Sequence, residues 1–136
     1  MPLFVWRDIY SVGNKTIDEQ HKRLFEIANR FSEAYDKNHG KQILGTIFQE
    51  LLEYTSFHFE DEERLMREAN YPEYPQHKAN HEKLVSVVLN LKKNFEQGEA
   101  GIEQRIMDFI KMWLNGHILG MDRNYRGYIV DTPEDA

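Results

Sequence analysis

Five histidines and one glutamate stand where a hydrophobic residue is expected. His21, His58, Glu62, His77, His81 and His117 all fall on the apolar seams of helical segments. His58 and Glu62 are four residues apart, as are His77 and His81, so each pair leaves one helix face a turn apart. Two imidazoles at that spacing converge on a point and suit a metal ion. Taken singly, each residue has an ordinary reading as a hydrogen-bonded core histidine or, for His58 and Glu62, a surface ion pair. Taken together they do not. Burying the Glu62 carboxylate alone costs several kcal/mol, and no Lys or Arg falls on the inward seams to neutralise it. A metal cluster supplies the missing positive charge. The mixture of imidazole and carboxylate suits iron, manganese or zinc and disfavours calcium or magnesium.

Asp122 is the outlying candidate. It follows His117 by five residues, about 140° around an ideal helix. It also stands near a helix C-terminus, where the macrodipole disfavours negative charge. Gly120 lies between the two, and a helix loosened there would turn the carboxylate back inward. His39, beside Gly40 in a turn, is off every seam and reads as a surface residue. The terminal Asp131 to Asp135 stretch reads as a solvated end.

The elements that must position these groups are helices. Thr16 and Glu19 have capping-box spacing, and after them Leu24, Phe25, Ala28, Phe31 and Tyr35 recur at steps of three and four. Leu44, Phe48, Leu51, Thr55, His58, Glu62 and Leu65 keep a strict seam. Leu84, Val88, Leu91 and Phe95 extend the His77–His81 rhythm, and Ile102, Ile106, Ile110 and Trp113 lead to His117. The pattern predicts helices over 17–37, 41–69, 73–96 and 102–119, with an aromatic arm over 1–15 and a tail over 120–136. Short breaks at Asn38–Gly40, Asn70–Pro75 and Gln97–Gly101 imply antiparallel neighbours. The expected fold is all-α, one up-down-up-down four-helix bundle.

Composition narrows the function classes. The 136 residues include 17 basic and 23 acidic side chains, six histidines and no cysteine, with a net charge of −6. That length fits one domain, and Leu, Ile, Val and Phe make up about a quarter of it, enough for a packed core. The acidic balance argues against nucleic acid or an anionic membrane surface as main partner. The lack of cysteine removes thiolate nucleophiles, Cys-type zinc sites and cysteine-ligated iron–sulfur clusters. No run approaches the roughly 18 apolar residues of a membrane span, and the first residues lack a secretory pattern, so a soluble, cytoplasmic protein is expected.

One His on the first helix, His-x-x-x-Glu on the second, His-x-x-x-His on the third and His-x-x-x-x-Asp at the end of the fourth resembles the ligand set of the hemerythrin family. The stretches Ser11–Asn14, Asp18–His21 and Trp113–Ile118 look like its bacterial branch, and the likeness runs from Trp6 to about Tyr125. The resemblance implies a non-haem di-iron centre with an oxo or hydroxo bridge. His77, His81 and His117 would bind one iron and His21 and His58 the other, with Glu62 and Asp122 bridging. Dioxygen would then bind reversibly, as hydroperoxide, at the five-coordinate iron. Leu24, Phe59, Trp113, Leu114 and Ile118 are expected to line a dry pocket for it.

The leading expectation is therefore an O₂ carrier, store or sensor rather than an enzyme, with dioxygen as ligand and an O₂-consuming enzyme or signalling protein as partner. A di-iron oxidase, peroxidase or nitric-oxide reductase is the alternative. Against it, ferritin-like di-iron enzymes use Glu-x-x-His pairs and more carboxylates, and no histidine here has Glu three residues before it. A sensory module passing an O₂-dependent change to a partner is the third reading.

Overall fold

The computed structural model describes residues 4–125 and 127–129. Four antiparallel helices carry the chain: α1 (Lys15–Asp36), α2 (Lys41–Glu68), α3 (Tyr74–Glu96) and α4 (Ile102–Met112). Each packs on the next, and α4 closes the ring against α1. Beyond α4 the chain keeps winding through a π-helical turn (Trp113–His117), a last α turn (Ile118–Gly120) and a 3₁₀ turn (Asp122–Tyr125). Among the described residues there is no strand, and no helix is long and apolar enough to cross a membrane. The all-α four-helix bundle is thus the observed fold. The Asp131–Asp135 stretch lies outside the described residues.

Three of the helices stop in the same way. Asn38, Asn70 and Gly98 take left-handed backbone angles just past α1, α2 and α3. The following amide then reaches back to a carbonyl five residues earlier, as in His39 to Ala34 and Tyr71 to Met66. Asparagine and glycine tolerate that conformation best, and the reversal points the next helix back along the last.

The helix seams build two apolar clusters. The larger holds Leu24, Phe31, Phe48, Phe59, Ile106, Leu114 and Ile118, among others. The smaller holds Val12, Ile17, Met66, Tyr71, Tyr125 and Ile129. Along every helix the candidate ligands fall between the two: His21 between Ile17 and Leu24, Glu62 between Phe59 and Met66, and Asp122 between Ile118 and Tyr125. The polar layer is sealed on both sides.

Ahead of α1, Phe4, Trp6 and Tyr10 gather on Phe25 with ring centroids 5.0–5.8 Å from it. Asn29 pins this segment by exchanging two hydrogen bonds of 2.8 Å with the Phe4 backbone. α1 itself begins at Lys15, two residues earlier than the sequence pattern predicts. Its N-cap is Asn14, whose Oδ1 accepts from the Ile17 amide at 3.0 Å, and Thr16 lies inside the first turn. The expected Thr16–Glu19 box is therefore corrected. Asp18 instead reaches back to the Val12 amide at 2.9 Å and the Ser11 hydroxyl at 2.6 Å. A capping residue removed by alanine costs about 1 kcal/mol. Urea unfolding should therefore show Asn14→Ala destabilised by about that amount and Thr16→Ala close to the parent.

Candidate metal centre

All seven candidate ligands are buried, from His21, Glu62 and Asp122 at 0% exposure to His117 at 7%. The polar layer draws them from α1, α2, α3 and the turns that follow α4. α1 contributes His21, α2 contributes His58 and Glu62, and α3 contributes His77 and His81. His117 ends the π-helical turn and Asp122 opens the 3₁₀ turn.

Asp122 arrives there because the last α turn ends at Gly120, the break that the sequence pattern anticipates. The winding widens earlier, over Trp113–His117, where the extra residue of a π turn buries Trp113, Leu114, His117 and Ile118 together and leaves Asn115 and Gly116 exposed. Met121 then leaves the helix with φ −118°, and the following tight turn aims the Asp122 carboxylate into the bundle.

The donors fall into two groups that share both carboxylates. His77, His81 and His117 form one with Glu62 and Asp122, and His21 with His58 forms the other. In each group the donor atoms lie within 4.8 Å of one another. Each carboxylate turns one oxygen to each group. Glu62 Oε1 lies 3.1 Å from His77 Nε2 and 3.0 Å from His81 Nε2, while Oε2 lies 3.3 Å from His58 Nε2 and 3.5 Å from His21 Nε2. Asp122 Oδ1 lies 2.8 Å from His77 Nε2 and 3.0 Å from His117 Nε2, and Oδ2 is 3.1 Å from His21 Nε2.

These contacts are close but are not hydrogen bonds. Nε2 of His77, His81 and His117, Oε1 of Glu62 and both oxygens of Asp122 are buried without a hydrogen-bond partner. Buried polar atoms are rarely left so, because each forfeits its hydration. Nitrogen and oxygen donors converging on one point with their hydrogen bonds unsatisfied fit a cation. The donor set fits iron, since imidazole and carboxylate oxygen both suit it.

The opposite edges of two rings are anchored. His58 Nδ1 sits 2.7 Å from Gln20 Oε1, and Gln20 Nε2 donates to Asp61 Oδ2 at 2.7 Å. His81 Nδ1 sits 2.9 Å from Glu63 Oε2. Such partners hold the proton on Nδ1 and leave Nε2 free to face a metal. Tyr125, fully buried, donates its hydroxyl to Glu62 Oε2 at 2.8 Å. Sequence reasoning assigned no role to Gln20, Asp61 or Glu63, although each stands beside or one turn from a candidate ligand.

Electrostatics match this arrangement. Burial works against charge on His21 and His77, but the carboxylates of Asp122 and Glu62 outweigh it and raise them to about 9 and about 10. Burial also opposes ionisation of Glu62 and Asp122, and the surrounding imidazoles nevertheless hold both far below the usual carboxylate range. His58 is lowered, mainly by burial. Burial, then the charges of Glu62 and Asp122, push the Tyr125 phenol well up, so it remains a donor.

The five apolar residues expected at a pocket are all buried: Leu24, Phe59, Trp113, Leu114 and Ile118. Phe59 stacks face to face on His81, with centroids 3.8 Å apart and planes 3° apart. Trp113 meets Phe59 edge-on at 6.1 Å.

Comparison with known proteins points the same way. Residues 12–129 match the family model described as the hemerythrin HHE cation binding domain. A bacteriohemerythrin of Stenotrophomonas maltophilia is 35% identical over 125 residues, covering 92% of this chain and 80% of that protein. A hemerythrin-like protein of Naegleria gruberi is 36% identical over 126 residues, covering 93% of each chain. Among solved structures, wild-type hemerythrin superposes with a TM-score of 0.87 at 30% identity, over 95% of this chain and 99% of that one. A hemerythrin variant with a leucine changed to tyrosine gives 0.89, over 96% and 100%. The chain therefore belongs to the hemerythrin family, and its histidine–carboxylate cluster is a metal site of that family's non-haem iron type.

Proposed function

We propose that the chain binds dioxygen reversibly at two irons held by these seven residues, as a carrier, store or sensor rather than a catalyst. The observation that carries this reading is the division of labour in the carboxylates, each with one oxygen facing two histidines of the His77–His81–His117 group and the other facing two (Glu62) or one (Asp122) of the His21–His58 group. A single ion has no use for two such groups. His77, His81 and His117 would hold one iron, His21 and His58 the other, and Glu62 and Asp122 would bridge them. The three-histidine side would offer its iron five protein donors, three imidazole nitrogens and two carboxylate oxygens. The two-histidine side is one donor short, which leaves a place for a small ligand. Such a pair of irons would supply reversible two-electron chemistry toward dioxygen.

The protein's own part is to hold this centre and keep it dry. Gln20 and Glu63 fix the orientation of His58 and His81. Tyr125 ties down the Glu62 bridge from the side of the smaller cluster. Leu24, Leu114 and Ile118, none more than 1% exposed, keep water from the metals. Without water there is no ready proton to carry reduced oxygen away, so release can run backwards along the binding path.

Purified protein should contain about two irons per chain, by the donor count and the imidazole–carboxylate chemistry. It should gain a visible absorption under O₂ that vanishes when O₂ is removed. Iron near zero, or a spectral change that never reverses, would refute the reading.

Replacing Leu114 with Asn places a hydrogen-bonding amide at a 0%-exposed position beside His117. Autoxidation of the O₂-bound protein should accelerate, because water is drawn in. An unchanged rate removes Leu114 from the lining.

Metal uptake should also release protons. In the metal-free chain, His21 and His77 are raised to about 9 and about 10, so both are protonated at neutral pH. A metal displaces those protons. Loading at pH 7 in weakly buffered solution should therefore release about two per chain, followed by pH-stat titration. The same shifts set the stability of the metal-free protein. Raised imidazoles stabilise fully below about 6.5 and lose that contribution as pH climbs through about 9 and about 10. Its melting temperature should fall over that window while the metal-loaded protein's does not.

A further inference from the structure

Three tyrosines lead from the metal centre to the surface. Tyr125 touches two of the ligands. Its hydroxyl donates to Glu62 Oε2 at 2.8 Å, and its ring centroid lies 5.6 Å from that of His77. The Tyr71 ring meets Tyr125 edge-on at 6.1 Å, and Tyr128 meets Tyr71 at 5.0 Å. Both steps are ordinary contact distances between aromatic rings. Exposure climbs along the series, from 0% at Tyr125 through 6% at Tyr71 to 47% at Tyr128. The backbone fixes this order. Left-handed Asn70 ends α2 and the Tyr71 amide reaches back to the Met66 carbonyl at 3.0 Å. The Tyr128 amide bonds to the Tyr125 carbonyl at 2.9 Å, across a turn that Gly127 makes with φ +92°.

A phenol gives up an electron readily only where its proton has somewhere to go. Tyr125 has Glu62, and the Tyr71 hydroxyl donates to Glu73 Oε2 at 3.2 Å. Tyr128 is open to water. Trp113, another oxidisable ring, packs instead on Phe59 and Phe109, which have no hydroxyl to release a proton.

Bound oxygen that gains protons departs as hydrogen peroxide and leaves the metals oxidised. Peroxide that meets this oxidised centre must draw its electrons from side chains. We propose that Tyr125, Tyr71 and Tyr128 form a relay through which a small soluble one-electron reductant, an enediol or a phenol, quenches hydrogen peroxide at the oxidised metal centre. The proposal rests on the iron reading. Peroxide takes two electrons and two protons, its O–O bond breaks, and two waters form. Two passes along the relay supply the electrons. In each pass the phenol protons shift along their own hydrogen bonds and return as the next ring refills them. Two reductant molecules at Tyr128 each lose one electron and one proton, which balances the two of each that peroxide takes up.

The test is spin trapping on oxidised, iron-loaded protein given stoichiometric hydrogen peroxide, with the nitroso adduct located by peptide mass spectrometry. The adduct is expected at Tyr128. It should fall at least tenfold in Tyr71→Phe, which keeps the ring and removes the phenol, and be absent in Tyr128→Phe. Ascorbate should suppress the adduct and speed peroxide consumption in the parent, and the acceleration should be lost in Tyr71→Phe. An equal adduct in zinc-loaded protein overturns the proposal, as does one unchanged in Tyr71→Phe or carried by a tryptophan. An ascorbate effect that survives in Tyr71→Phe overturns it too. Fully iron-loaded protein with a reversible O₂ spectrum but no adduct overturns the relay alone and leaves the O₂ reading standing.

Discussion

Two carboxylates buried without an ion pair to lysine or arginine among the described residues govern the rest of this molecule. Glu62 and Asp122 are completely removed from water, and an ionised carboxylate so placed is unstable unless positive charge or strong donors surround it. Five imidazoles and the Tyr125 hydroxyl stand around the pair. The imidazoles pay part of the cost by taking protons, which is why His21 and His77 are raised. Unpartnered nitrogen and oxygen atoms remain. A multiply charged cation answers both needs at once, and so the site and the stability of the bundle are one problem.

The fold answers that problem by segregation. Apolar clusters close the polar layer above and below, and the aromatic segment before α1 covers Phe25 from outside. A closed, low-dielectric layer strengthens each charge interaction inside it and keeps water from competing. The same enclosure suits the proposed reversible binding of a small neutral molecule. Helix ends with left-handed Asn38, Asn70 and Gly98 make the short reversals that keep four helices in register around this layer. Supporting side chains then set ring orientation from the far side, through Gln20 on His58 and Glu63 on His81.

Much of this was legible because helical periodicity converts spacing into direction. A histidine on an apolar seam points inward whatever the details of packing, which placed His21, His58, Glu62, His77, His81 and His117 in one layer before any coordinates. Asp122 was legible through Gly120 and the family likeness together, since its angular offset on an ideal helix points elsewhere. The break after Gly120, where Met121 leaves the helix, turns it inward, while the π turn over Trp113–His117 sets the winding ahead of His117. The N-cap, by contrast, was misread. Asn14 and Thr16 are both good caps, and the choice rests on where the chain enters the helix, with Asp18 tied back to Ser11 and Val12.

By itself, the amino-acid sequence determined the bundle, the helix that carries each histidine and the need for a cation, because hydrophobic period and residue chemistry are local and additive. Spacing did not say how seven donors divide; the family likeness implied two groups sharing two carboxylates, and only the tertiary structure displays them. It also decided which side chains brace them: Gln20, Asp61, Glu63 and Tyr125. The physical reason is that hydrogen bonds and ligand geometry depend on distances of about 3 Å between helices far apart in sequence. Periodicity says which way a residue faces, but only the crossing of the helices says what it meets.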